Sequence, residues 1–404
     1  MQKFSISVSD DNENFTQIYA NDKIEFHRLC TFDTVKARYV KLTVEKSDNL
    51  PKIREMEIYN AVPEKKNDFR VSTYSTLGGS VFGIIDDTTL SDAEKDAKIK
   101  ELIDADYYDT VTDYIDIGNV RWDEEGIIHT DGWDGIERDE DKYYAVMMRN
   151  LHEVLDEKGV NLVITILNPS GENGNQRVMK SITENRDTLI TNMIAFANKY
   201  EFDGIDLDWE FPLSQDEFDA YNSFLQELKA RMKTEMWNKE DATLSLALAT
   251  WALKYTPETI ECIDYVNVMG YDILDQDGQH SSFFSSCVQA ADYIEIQGFS
   301  KEQINIGFPF YGTWEGGRME QYAYNAISEE ISPFNNFYTM KKSDTKEDRY
   351  TYFNSQAIIR DKTAYAYLKG YGGVMIFSQY CDLPSDDERS LTKAISDYLQ
   401  EVTK

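Results

Sequence analysis

Cysteine and histidine are scarce in this chain, with four of each in 404 residues. Cys30, Cys262, Cys287 and Cys381 form no CxxC pair and no metal-type spacing, and they are too few to staple a chain this long. They are expected to be free and mostly buried thiols. His27, His129, His152 and His280 are scattered with no two at ligand spacing, which argues against zinc. Positive charge is also in short supply. Against 73 Asp and Glu stand 41 Lys and Arg, a net charge of −32. That field repels nucleic acid and anionic membrane surfaces, and it is otherwise a solvated face that keeps the protein soluble. No apolar run is long enough to span a bilayer, and the opening MQKFSISVSDD lacks the apolar core of a secretory signal.

What is present is enough apolar and aromatic material, 41% and 13%, for one large core with something small beside it. Residues 1–61 read as the small part. KFSISVSDD, NFTQIYA, ARYVKLTVEK and IREMEIYN are β-rich runs broken by Asp/Asn turns. A hydrophilic joint at 62–68 follows. From Phe69 to the end, short apolar strands alternate with longer helical stretches. The strand candidates are 70–76, 111–120, 161–168, 202–210, 244–251, 265–272, 304–312 and 372–380. Helices are expected over 92–104, 141–158, 184–200, 215–236, 284–298 and 355–369, and SLTKAISDYLQ closes the chain. Eight such units predict an α/β protein, a (β/α)8 TIM barrel over 69–404 with its site at the C-terminal ends of the strands. The small N-terminal unit is expected to be a partial β-sandwich.

The fourth strand candidate reads FDGIDLDWEFP. Asp206, Asp208 and Glu210 alternate with Ile205, Leu207 and Trp209, so a strand here turns the three acids to one face and the apolar set to the other. Like charges this close cannot all ionise freely. At least one carboxyl should hold its proton near neutrality, as a general acid must. Glycosidic cleavage is the reaction that most naturally asks for such a group, because the leaving oxygen needs a proton while positive charge builds on carbon.

This run closely resembles the DGxDxDxE signature of the family 18 glycoside hydrolases, the chitinases and their relatives, through Asp203, Gly204, Asp206, Asp208 and Glu210. Met269-Gly270-Tyr271-Asp272 resembles the family's MxYD motif, INIGFPFYG its seventh strand, and GGVMIFSQY its eighth, where Phe377 replaces the usual tryptophan. NLVITILNPSGENG is similar to the third strand more loosely. Residues 1–61 resemble about half of a discoidin-like (F5/8-type C) carbohydrate-binding domain.

The family resemblance implies a retaining, substrate-assisted hydrolase that cleaves β-linkages next to N-acetylglucosamine and uses no cofactor and no metal. On that reading Glu210 is the general acid and base. Asp208 orients and balances the attacking 2-acetamido group, Tyr271 donates a hydrogen bond to it, and Asp206 shares a proton with Asp208. Asp203 and Gly204 are structural. Asp272, Met269, Phe377, Trp251, Tyr74 and Tyr311 are candidates for sugar contacts. The expected partner is a GlcNAc-containing oligosaccharide, polysaccharide or glycoprotein glycan, and the expected state is a monomer that is secreted or at the cell surface. The extra α+β domain that deep-grooved relatives carry between strands seven and eight is expected to be reduced or missing here. An endo-β-N-acetylglucosaminidase acting on N-linked glycans, a chitinase-like lectin, and a barrel binding Mg²⁺ or Mn²⁺ through the acid row are the alternatives.

Overall fold

The computed structural model describes residues 3–21, 28, 30, 32–47, 50–51, 53, 56, 58, 68–104, 109–131, 135–136, 138–272, 284–314, 321–326, 332, 337–341, 348–384 and 386–403. Three strands open the chain: β1 (Lys3–Ser9), β2 (Thr16–Asn21) and β3 (Tyr39–Lys46). They pair antiparallel in the order β2-β1-β3. Asn12 takes a positive φ of 62° in the turn between β1 and β2, where an Asx-rich run tolerates that conformation. The fourth strand expected in this unit, over 53–60, and the joint at 62–68 fall largely outside the described residues.

The main body is a parallel barrel. Its first seven strands are β4 (Arg70–Ser75), β5 (Asp113–Trp122), β7 (Asn161–Leu167), β8 (Gly204–Leu207), β9 (Thr243–Leu248), β10 (Tyr265–Val268) and β11 (Ile304–Pro309). A two-residue β6 (Ile128–His129) folds back on the end of β5. After β11 the chain leaves the barrel for a four-stranded antiparallel sheet made of β12 (Tyr311–Trp314), β13 (Gln321–Ala323), β14 (Phe337–Lys341) and β15 (Asp348–Tyr352), in the order β13-β12-β15-β14. It returns as β16 (Gly373–Phe377), which pairs parallel with both β11 and β4. Because β4 also pairs with β5, the barrel closes. An inserted sheet is therefore present between strands seven and eight, and not missing. The run 304–312 is two strands and not one, since its last residues belong to the insert.

Ten helices are described: α1 (Gly78–Asp86), α2 (Asp92–Asp104), α3 (Tyr144–Lys158), α4 (Gly174–Thr183), α5 (Arg186–Lys199), α6 (Gln215–Glu235), α7 (Pro257–Cys262), α8 (Phe284–Ile296), α9 (Gln356–Lys369) and α10 (Leu391–Thr403). The start of α6 shows why the chain turns where it does. Ser214 accepts from the Glu217 N–H while the Glu217 carboxylate accepts from the Ser214 N–H, a capping box placed four residues beyond Glu210. Helices α1, α4 and α7 were not expected from sequence. Gly78, Gly79 and Gly83 weaken the helical signal of α1, which is held instead by burial of Val81, Phe82 and Ile85. Among the described residues no helix is long and apolar enough to cross a membrane.

Two apolar clusters divide the barrel. The larger lies between strands and helices and takes Ile205, Leu207 and Trp209. The smaller, inside the barrel, holds Tyr74, Ile115, Ile117, Val163, Ala247 and Met375. The expected alternation of the acid run thus holds, with its apolar residues turned out to the helices. Of the four thiols only Cys287 is fully buried, which corrects the expectation for Cys30, Cys262 and Cys381.

Candidate active site

Asp206 sits at the centre of the barrel interior and is fully buried. Strand register places Thr165 of β7 and Ser245 of β9 directly beside it. Thr165 Oγ1 donates to Asp206 Oδ2 at 2.8 Å, Tyr74 Oη to the same oxygen at 3.0 Å, and Ser245 Oγ to Oδ1 at 2.6 Å. Burial raises the Asp206 pKa, and these three donors work against that rise. Gly204 lets the neighbouring strand come this near: a Cβ there would lie 2.0 Å from Thr243 Oγ1 and 2.6 Å from the Thr243 carbonyl oxygen.

The strand ladder ends at Leu207, three residues before Glu210, so the acid row continues past the sheet into the cleft. This corrects the expectation that Glu210 is last on the strand. Asp208 has one buried carboxyl oxygen, Oδ1, with no hydrogen-bond partner among the described residues. Burial first, then the charges of Glu210 and Asp206, hold its pKa well above the usual aspartate range. Glu210 is open to solvent at the cleft, and a cis peptide joins it to Phe211. Partial desolvation of its carboxyl, then the charge of Asp272, raise its pKa as well. Asp272→Asn should therefore lower the Glu210 pKa and move the alkaline limb of kcat/KM to lower pH. A limb that stays in place would remove Asp272 from the electrostatics of the acid.

Tyr271 follows β10. Burial and the charges of Asp208, Asp272 and Glu210 raise its pKa well above 10, so it stays a neutral donor at any working pH. Gly307 on β11 makes room for the ring, since a Cβ there would be 3.0 Å from Tyr271 Cε1 and 2.3 Å from the Val268 carbonyl oxygen. Tyr271 stacks on Phe377 with centroids 5.9 Å apart and planes 19° apart. Tyr311 stands edge-on to both, and its hydroxyl donates to Asp272 Oδ2 at 2.8 Å.

Seven of the sequence candidates thus converge: Asp206, Asp208, Glu210, Tyr271, Asp272, Phe377 and Tyr311. Tyr74 joins them from below, edge-on to Phe377 at 6.0 Å. Tyr74 and Tyr311 are both only 2% exposed, so neither ring offers a face to a sugar, and as stacking surfaces they are corrected. Trp251 is different. Nearly half exposed, it packs at 4.8 Å against Phe211, the residue after Glu210, and forms a separate aromatic wall. Met269 is half-buried. Asp203 accepts the Leu162 N–H at 2.8 Å and joins β8 to β7, a structural role.

Sequence reasoning missed Thr165, Ser245 and Phe211. Thr165 and Ser245 do carry a signal, since each is the one polar residue inside an apolar strand whose only other polar residue is its first, and each lies at the level of Asp206. Phe211 carried none beyond its place next to Glu210.

A closed parallel barrel with acids rising from its fourth strand, and a tyrosine and an aspartate from its sixth, is the architecture of (β/α)8 proteins that present carboxylates at their C-terminal face. Residues 139–382 match the family model of the glycosyl hydrolases family 18, and the chain belongs to that family. It is 26% identical to a class V chitinase of Arabidopsis thaliana over 42% of this chain and 52% of that one. The chain spans about half or less of the length of the curated relatives it matches. Among solved structures, a chitinase from Bacteroides thetaiotaomicron has TM-score 0.60 at 20% identity, covering 82% of this chain and 97% of that one. A plant class V chitinase mutant from Cycas revoluta, solved in complex with (GlcNAc)3, has TM-score 0.61 at 16% identity, covering 81% and 99%.

Proposed function

We propose that this chain hydrolyses β-linkages next to N-acetylglucosamine in chitin oligosaccharides or related glycans, with retention of configuration. The observation that carries the reading is Glu210, exposed at the cleft two residues beyond the half-buried Asp208, with burial and neighbouring carboxylates raising the pKa of both. Glu210 transfers its proton to the glycosidic oxygen as the C1–O bond breaks. The carbonyl oxygen of the substrate's own 2-acetamido group bonds to C1 and yields an oxazolinium-type intermediate. Asp208 accepts the acetamido N–H and balances the positive charge, and Tyr271 donates to the acetamido oxygen. Water then attacks C1, giving its proton to Glu210 as the C1–O bond to the acetamido oxygen breaks. Asp206, below, takes the shared proton that Asp208 gives up as the acetamido N–H reaches it.

Trp251 and Phe211 form the outer aromatic wall for the sugar beyond the cleaved bond. Trp251→Ala should raise KM roughly three- to tenfold with kcat little changed, as loss of one stacking surface implies. An unchanged KM would remove this wall from the substrate path.

Phe377 in place of a tryptophan reduces the stacking area under the reacting sugar, which favours the second reading, an endo-β-N-acetylglucosaminidase acting on N-linked glycans. Digestion of GlcNAc oligomers and of a high-mannose glycopeptide side by side, with products read by mass, decides between the two. Cleavage of the oligomers alone supports the chitinase-type reading, and binding of either without cleavage points to a lectin. The proposal places this action outside the cell or at its surface. It treats residues 1–61 as a partial discoidin-like unit, without assigning it sugar-binding residues.

A further inference from the structure

Below Asp206 the barrel interior carries a continuous line of polar side chains. Arg70 Nε, near the opposite mouth of the barrel, donates to Asn305 Oδ1 at 3.3 Å. Asn305 Nδ2 donates to Asn267 Oδ1 at 3.1 Å and to Ser72 Oγ at 3.2 Å. Asn267 Nδ2 donates to Tyr74 Oη at 3.1 Å, and Tyr74 Oη donates to Asp206 Oδ2 at 3.0 Å. Asn267 and Asn305 are register partners on β10 and β11, and both are fully buried. Arg70 is anchored besides by Nη2 on the Glu302 carbonyl and by its place 4.8 Å over the Tyr265 ring.

One end of this line fixes the direction of all of it. A guanidinium can only donate, so the Asn305 oxygen must face Arg70 and its amide nitrogen must face Asn267. Asn267 in turn presents its oxygen to Asn305 and its nitrogen to Tyr74. Having accepted that bond, the Tyr74 hydroxyl has one proton left to give, and Asp206 receives it.

We propose that Arg70, Asn305 and Asn267 are positioning residues for the acid row: Arg70 sets the orientation of both amides, which commits the Tyr74 proton to Asp206 and, before substrate binds, leaves the mobile proton of the row on Asp208. Asp206 then keeps three hydroxyl donors and its negative charge, while Asp208, with an unpartnered buried oxygen, takes the proton. The other titratable groups around Asp206 are Tyr265 from β10, Tyr221 from α6, and Asp208, Glu210, Tyr271 and Asp272 above. Asp113 lies near Arg70 at the far mouth. The proposal rests on the hydrolase reading only for its kinetic readout.

Asn305→Asp tests it by reversing the line. The introduced carboxylate still accepts from Arg70 but offers no donor toward Asn267. Asn267 must then turn its nitrogen down and its oxygen up, drawing the Tyr74 proton away from Asp206. With aspartate carboxyl carbons labelled with ¹³C, and the Asp206 signal assigned through Asp206→Asn, the Asp206 titration midpoint should rise by roughly one pH unit, as loss of one hydrogen bond to a carboxylate implies. The acidic limb of kcat/KM on a GlcNAc oligomer should move upward with it. Arg70→Met, which frees the far end, should shift the midpoint in the same direction, and Arg70→Lys, which still donates to Asn305, should restore it. A folded Asn305→Asp or Arg70→Met protein whose Asp206 midpoint is that of the wild type overturns the proposal, even if its thermal midpoint has fallen. If no oligomer is cleaved by the wild type, the functional reading fails and the carboxyl titration still decides this one.

Discussion

Glu210→Gln should leave the fold and oligosaccharide binding intact and lower turnover by about 10²–10⁴-fold or more. The substitution keeps the shape and the polar end of the side chain and removes only the transferable proton. Glu210 stands in a bend beyond the last bonded residue of β8, open to the cleft, so little of the core depends on its charge. The loss should fall on kcat, with KM little changed, because the proton is needed in the transition state and not for binding. A variant with most of its turnover would take Glu210 out of the mechanism.

Replacing the 2-acetamido group of the substrate by hydroxyl should abolish hydrolysis even when the sugar binds, with a loss on the order of 10⁴-fold or more, because the nucleophile then has to arrive from solution. A thiazoline mimic of the cyclic intermediate should inhibit at least ~10²-fold better than the product sugar. Asp208→Asn should slow turnover without any covalent sugar on the protein. The geometry agrees with that expectation, since Asp208 is half-buried with one oxygen enclosed, where it can align and balance a charge, while of the three acids only Glu210 is exposed. A covalent adduct on Asp208 or Asp206, trapped with a 2-fluoro sugar and seen by intact mass, would place the chain among the retaining enzymes that use a carboxylate nucleophile.

Much of this was legible in the sequence because two simple periods carry it. Alternation along Ile205–Glu210 separates the acids from Ile205, Leu207 and Trp209, and the structure puts these apolar residues against the helices. The order of strands and helices implies a closed barrel, which brings Tyr271 and Asp272 from the sixth strand beside the acids of the fourth. The failures are also physical. A strand end cannot be read from alternation alone, because Asp208 and Trp209 keep the extended pattern after the ladder has stopped at Leu207. Tyr74 and Tyr311 are chemically the same as an exposed platform, and only the packing shows that their hydroxyls are used and their faces covered. Asn267 and Asn305 look like isolated polar residues in apolar strands until the register of β10 and β11 sets them side by side. Helix α1, rich in glycine, is stabilised by what it covers and not by its own propensity.

The central claim is that Glu210 and the substrate's own acetamido group together cleave a bond beside N-acetylglucosamine with retention. Proton NMR of (GlcNAc)4 during digestion by the wild-type chain tests it most directly. The account predicts that the new reducing ends appear first as the β-anomer and only later mutarotate, and that Glu210→Gln produces none. First appearance of the α-anomer, or binding of the tetramer with no new reducing end, would contradict it.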